Sequence, residues 1–165
     1  MIVCVGQWRF DVDIAATMSY SEGVWREHCL CGYCRNFYET LNLTYPQIGA
    51  FLNQFGMNPL TPEELMPFEP TLCTVSYCIS GRVLQQGRGL IDLGGVTFSV
   101  GHPEDFDFDT SCTSPYFVLT SGFLELPWAL DEDMDEVISP ANEPEYLQKM
   151  SERLLGSVDF ESLLS

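Results

Sequence analysis

The sequence has few basic residues. Of its 165 residues only 7 are lysine or arginine, against 24 aspartates and glutamates, and the formal net charge at pH 7 is −17. A nucleic-acid-binding surface needs basic side chains to neutralise phosphates, and attraction to anionic membranes needs them as well. The composition therefore argues against nucleic acid and membranes as partners, and it favours a basic protein, because opposite charge speeds association.

Catalytic and targeting signatures are also missing. The chain contains no phosphate-binding loop, zinc-protease helix motif, hydrolase serine elbow or dinucleotide-binding glycine motif. Its first residues lack the basic stretch followed by a long apolar one that defines a signal peptide. The uncharged stretch 40–62 holds three prolines and cannot be a membrane span. We therefore expect a cytoplasmic protein that is not an enzyme.

The composition is that of a folded domain. Hydrophobic residues make up 45% of the chain, which is too many for a disordered protein, and the length suits one domain. We expect a single domain over residues 1–156, a C-terminal tail over 157–165, and a monomer or weak dimer. The seven cysteines are an odd number, which favours reduced thiols over a disulfide scaffold.

Apolar and polar residues alternate with a period of two in several segments, which predicts strands. These segments lie around residues 8–14, 71–80 and 90–100, and a further strand or hairpin is expected over 115–126. The side chains predicted to be buried in the sheet are Trp8, Phe10, Val12, Val75, Tyr77, Val96 and Phe98.

Helical spacing appears between the strand segments and near the C-terminus. A helix over 46–55 would bury Ile48, Phe51, Leu52 and Phe55. Thr61 is expected to begin a short further helix, residues 15–28 are expected to lead into a loop, and Tyr146, Leu147, Met150 and Leu154 would form the apolar face of a C-terminal helix. The fold class is therefore α+β: an antiparallel sheet, a helical segment at about 34–66 and a C-terminal helix.

Three cysteines and a histidine lie within seven residues, at His28, Cys29, Cys31 and Cys34. A turn at Gly32 brings two sulfurs together, and a helix beginning near Cys34 favours thiolates at its N-terminus. Zinc prefers four such ligands in a tetrahedron. Cys29 would be the third ligand, and the fourth would be His28, or Cys73 or Cys78 from the sheet.

Two other interpretations of these thiols remain open. Free cysteine often packs as a small buried hydrophobe, and Cys73 fits that description because it shares one face of the predicted strand with Val75 and Tyr77. Cys31 and Cys34 also match the spacing of a thioredoxin-like redox pair, although no strand–helix–strand pattern surrounds them.

The segment His28-Cys-Leu-Cys-Gly-Tyr-Cys-Arg-Asn-Phe37, followed by Tyr45-Pro46 and by Phe55-Gly-Met-Asn-Pro59, resembles a family of small uncharacterised bacterial proteins. The resemblance covers about two thirds of the chain and reaches Trp128. It implies a β-rich half after the cysteine cluster, but no activity, because the family has none established. Where that family tends to have an aromatic-rich strand with a histidine, this chain has residues 94–98, Gly-Gly-Val-Thr-Phe.

Residues 89–148 contain no lysine or arginine. Asp105, Asp107 and Asp109 have the spacing of a calcium loop, but Thr110 stands where its glycine is needed and Tyr116 where its bidentate glutamate is needed. The sequence thus predicts a non-catalytic protein-interaction domain with a structural cysteine cluster. The alternatives are an immunity-type inhibitor of a basic toxin, and a thiol redox protein that uses Cys31 and Cys34.

Overall fold

The computed structural model describes residues 1–132. Its helices are α1 (Ile14–Arg26), α2 (Gly32–Thr44) and α3 (Pro46–Asn53). Its strands are β1 (Ile2–Val5), β2 (Trp8–Val12), β3 (Glu64–Glu69), β4 (Leu72–Gln85), β5 (Ile91–Asp92), β6 (Thr97–Gly101), β7 (Tyr116–Ser121) and β8 (Leu124–Glu125). None of the helices within these residues has the length and apolarity that crossing a membrane requires.

The strands form one antiparallel sheet in the order β1-β2-β4-β7-β6-β5, and β3 and β8 also pair with β4. Strand β4 is 14 residues long and is the centre of the sheet. Up to Ser80 it pairs with β3, β7 and β8, and from Gly81 onward it pairs with β2. The fold is α+β, as the sequence predicts.

The partner change in β4 requires a glycine. Gly81 has a φ of +144°, and a Cβ atom there would collide with the main-chain oxygen of Asp11 on β2. Its amide donates to the carbonyl oxygen of Pro115, at a distance of 2.8 Å. The two halves of β4 therefore join at a point where the backbones approach too closely for any side chain.

The core lies between the helices and the sheet. All side chains predicted from the alternation are buried: Trp8, Phe10, Val12, Val75, Tyr77, Val96 and Phe98. The predicted face of α3 is buried as well, namely Ile48, Phe51 and Leu52, with Phe55 just beyond the helix. Phe51 connects this helix to the sheet, because its ring centroid lies 5.2 Å from that of Phe98.

Two expectations are wrong. Residues 15–28 are mostly the helix α1, which begins at the N-cap Asp13, whose carboxylate accepts from the amide of Ala16. Its buried face includes Thr17 and Ser21, so the apolar spacing that reveals a helix is absent from the sequence. No helix begins at Thr61. The residues that follow it form the strand β3, which pairs along β4. The expected C-terminal helix lies outside the described residues.

Candidate metal centre

The link between α1 and α2 carries the cysteine cluster. The sulfur atoms of Cys29, Cys31 and Cys34 all lie within 4.8 Å of one another. Cys29 is exposed, and Cys31 and Cys34 are half-buried. Such a spacing suits three ligands of one metal ion, because zinc–sulfur bonds are about 2.3 Å long.

The start of α2 shapes this group. Cys31 is the N-cap of the helix in an extended conformation, and Cys34 lies in the first turn. Amides of a first helical turn have no acceptor within the helix, and they give this end a partial positive charge. The amide of Cys31 also donates to the sulfur of Cys29 at 3.4 Å. The local backbone therefore favours negative charge on the sulfurs.

The three thiols do not hold their protons equally. Hydrogen bonds from the thiols of Cys31 and Cys34 outweigh the effect of burial and lower the pKa of Cys29 to about 2. The hydrogen bond to Cys29 is the main cause that raises the pKa of Cys31 and that of Cys34. The lowered pKa of Cys29 favours a thiolate there, and a metal ion binds most readily to deprotonated sulfur.

His28 precedes Cys29 in the chain, and one of its ring nitrogens contacts the backbone. Its Nδ1 atom is 2.5 Å from the carbonyl oxygen of Trp25. Because a carbonyl oxygen can only accept, Nδ1 carries a proton, and in a neutral imidazole Nε2 is then the nitrogen that can bind a metal ion. The imidazole stacks on the Trp25 ring with centroids 4.5 Å apart, and the hydroxyl of Tyr38 donates to the carbonyl oxygen of Cys29 at 3.0 Å.

Within residues 1–132 no other His, Cys, Asp or Glu ligand atom joins the three sulfurs at that distance. The nitrogens of His28 lie outside the group, so its role as a fourth ligand stays a prediction. Cys73 and Cys78 are buried on β4, and burial raises their pKa values to about 11 and about 12. Cys73 packs as the buried small hydrophobe that the alternation suggests.

Arg35 and Asn36, which follow Cys34, anchor the cluster to a part of the chain that is distant in sequence. The guanidinium of Arg35 donates to the carboxylate of Glu132 at 2.6 Å and to the carbonyl oxygen of Leu30 at 3.2 Å. The side chains of the Arg35–Glu132 ion pair are only 11% and 6% exposed. Arg35 therefore joins the link between α1 and α2 to the last of the described residues.

Asn36 makes a second connection to the same distant segment. It is buried, its amide nitrogen donates to the carbonyl oxygen of Pro127 at 3.0 Å, and its amide oxygen accepts from the amide of Ala129 at 2.8 Å. Both bonds go to main-chain groups, so the side chain fixes the path of the chain after β8. Apart from the family resemblance, nothing in the sequence indicates these roles of Arg35 and Asn36.

Replacing Asn36 with alanine should lower the free energy of unfolding by about 2–3 kcal/mol, because the carbonyl of Pro127 and the amide of Ala129 lose their partner. Urea unfolding of the variant measures this loss. Asn42→Ala is the matched control, since Asn42 is exposed on the same helix and should change stability by less than about 0.5 kcal/mol. Equal losses in the two variants would contradict the anchoring role.

Comparison with known proteins identified no relative of this chain. Neither a protein-family model, nor a curated protein, nor a solved structure matches the chain.

Proposed function

We propose that the chain is a non-catalytic interaction domain in which Cys29, Cys31 and Cys34 bind one zinc ion. The convergence of the three sulfurs within 4.8 Å carries this proposal. Thiolate sulfur is a soft ligand that selects zinc, copper(I) or iron–sulfur clusters. Zinc has no redox chemistry and suits a site whose role is structural.

The ion would stabilise the link between α1 and α2, to which the hydrophobic core contributes least. The link after α1 contains the exposed Glu27 and Cys29, and it must turn directly into α2. A zinc ion bound by the link and by the first turn of α2 would fix the angle between the two helices. The fourth coordination position is left for Nε2 of His28, because structural zinc sites are closed by four protein ligands.

The same geometry supports metal binding over the redox alternative. A dithiol redox pair needs two sulfurs, with a low thiol pKa on the attacking one. Here a third sulfur, that of Cys29, lies within 4.8 Å of the sulfurs of both Cys31 and Cys34. This arrangement favours a shared ion over a disulfide between Cys31 and Cys34.

Metal content and thiol reactivity test the proposal together. We expect about one zinc per chain by elemental analysis, lost in Cys34→Ser. Cys4→Ser is the matched control, because Cys4 is exposed on β1 and is not one of the three clustered cysteines, so its removal should leave the zinc in place. A thiol reagent should reach about one cysteine in the native zinc form and about four after chelation. Metal-free protein that forms a Cys31–Cys34 disulfide would favour the redox alternative.

Chelation of the ion should also destabilise the fold. Because the ion supports one inter-helix link and leaves the main core intact, we expect the melting temperature to fall by about 2–8 °C. The fall should persist in Cys4→Ser and disappear in Cys34→Ser, which differential scanning calorimetry measures. An unchanged melting temperature in all three proteins would contradict a structural role for the ion.

A further inference from the structure

An exposed apolar patch lies where β3 meets the turn between β7 and β8. The rings of Phe68 and Phe123 pack edge to face with centroids 5.2 Å apart, yet these residues are 56% and 64% exposed. Met66 on the same strand is 44% exposed. We call Met66, Phe68 and Phe123 the β3 patch. Two aromatic rings in contact and mostly in water form a surface suited to covering by another molecule.

The β3 patch is separate from the core. Its neighbours Leu65 and Leu124 pack inward. Successive side chains of a strand point to opposite faces, so Met66 points away from the core, and Phe123 is 64% exposed in the turn before β8. Leu65 pairs with Val75 and Leu124 pairs with Cys73, both buried on β4. The sheet is therefore already filled on its inner side, and the patch is not needed to complete it.

Acidic side chains lie on the same strands as the patch. Glu64 and Glu69 are the ends of β3, Glu125 follows Phe123 by two residues, and all three are exposed. No basic residue lies on β3, β7 or β8. The basic side chains within residues 1–132 lie elsewhere, at Arg9, Arg26, Arg35, Arg82 and Arg88. An apolar centre with a negative rim is complementary to a positively charged partner.

The backbone of β3 limits how that partner can bind. Within the described part of the chain β3 pairs only with β4, so its other edge has no strand beside it. Pro67 offers no amide there, and the pairing with β4 is irregular between Pro67 and Glu69. Proline and irregular pairing both discourage the addition of another strand. Contact through side chains on the patch is therefore favoured.

We propose that the β3 patch binds a cationic segment of a partner protein, with apolar side chains against Phe68 and Phe123 and arginine or lysine against the glutamate rim. Arginine suits both parts, because its guanidinium stacks on aromatic rings and pairs with carboxylates. A second copy of this chain would bring another charge of −17 to the same surface. The inference rests on the interaction half of the proposed function, and it does not depend on zinc.

Selection from a library of random short peptides, displayed against the full chain, tests this surface. We expect the enriched peptides to carry net positive charge and apolar residues, and to bind more weakly as the salt concentration rises. Phe68→Ser should weaken their binding by about tenfold or more. Leu43→Ser is the matched control, because Leu43 is 86% exposed on α2 and should leave binding unchanged.

The opposite outcomes would overturn the inference. These are enriched peptides that are neutral or acidic, equal binding by Phe68→Ser and Leu43→Ser, or no enrichment at all. A dimer that Phe68→Ser dissociates would show that a second copy fills the patch instead. Zinc content is measured on every variant, so a zinc-free protein that still binds cationic peptides through Phe68 overturns only the metal proposal.

Discussion

Replacing Phe51 with alanine should lower the free energy of unfolding by about 3–5 kcal/mol, the usual cost of removing a large buried aromatic ring. Phe51 is 3% exposed, and its ring centroid lies 5.3 Å from that of Phe55 and 5.2 Å from that of Phe98. It is thus a contact through which α3 packs on β6. The cavity left by alanine would remove packing from both elements, which explains the size of the expected loss.

Equilibrium urea unfolding measures this effect, and Phe68→Ala is its matched control. The control removes the same atoms from a residue that is 56% exposed, so its loss should stay below about 1 kcal/mol. If Phe51→Ala cost no more than Phe68→Ala, α3 would not depend on this contact with the sheet, and the position of the helix would have to be reconsidered.

Replacing Gly81 with alanine should lower the free energy of unfolding by about 2–6 kcal/mol. A φ of +144° is strained for any residue with a Cβ atom, at roughly 1–3 kcal/mol. The added methyl group would also collide with the main-chain oxygen of Asp11, and the backbone shift that relieves this adds about 1–3 kcal/mol. The loss of stability should be largest where β2 pairs with β4, so the rate of amide hydrogen exchange should increase first at Val12 and its neighbours.

Gly23→Ala provides the opposite expectation with the same chemical change. Gly23 lies inside α1, and a Cβ atom there would meet nothing within 4 Å. Alanine should therefore stabilise the protein by about 0.5–1 kcal/mol, since it favours helix formation. Thermal unfolding of both variants decides the matter: similar melting temperatures would mean that Gly81 is not conformationally required.

The strands and α3 could be predicted because their burial follows a simple period. Phe10 and Val12 on β2, like Val75 and Tyr77 on β4, alternate with outward or polar residues, and that pattern is local. Helix α1 could not be predicted because its buried side includes side chains with hydroxyl groups. Thr17, for example, is fully buried and accepts from the amide of Ser80, a partner 63 residues away.

Strand β3 shows a second limit of local patterns. Thr61 followed by proline and glutamates has the features of a helix start, yet its hydroxyl donates to the carbonyl oxygen of Asn58, and the residues that follow pair with β4. Pairing with an already central strand outweighs weak local preference. No property of residues 61–69 alone contains that information.

The candidate site, too, could be predicted from the sequence only in part. The three cysteines were visible from their spacing, because all of them lie within six residues. The anchors were not visible: Arg35 bonds to Glu132, 97 residues away, and Asn36 bonds to Pro127 and Ala129, 91 and 93 residues away. Such partners meet only once the fold has brought the residues after β8 to α2, so sequence spacing cannot reveal them.

The central position of β4 has a consequence for the order of events during synthesis. The hairpin of β1 and β2 emerges first, but β2 must wait until Gly81 and Arg82 have been made before it gains its second neighbour. At about 5–20 residues per second, that interval lasts several seconds. The charged Arg9 and Asp11 on β2 discourage pairing with other nascent chains in the meantime. Because β7 follows still later, most of the described chain must leave the ribosome before the sheet can close.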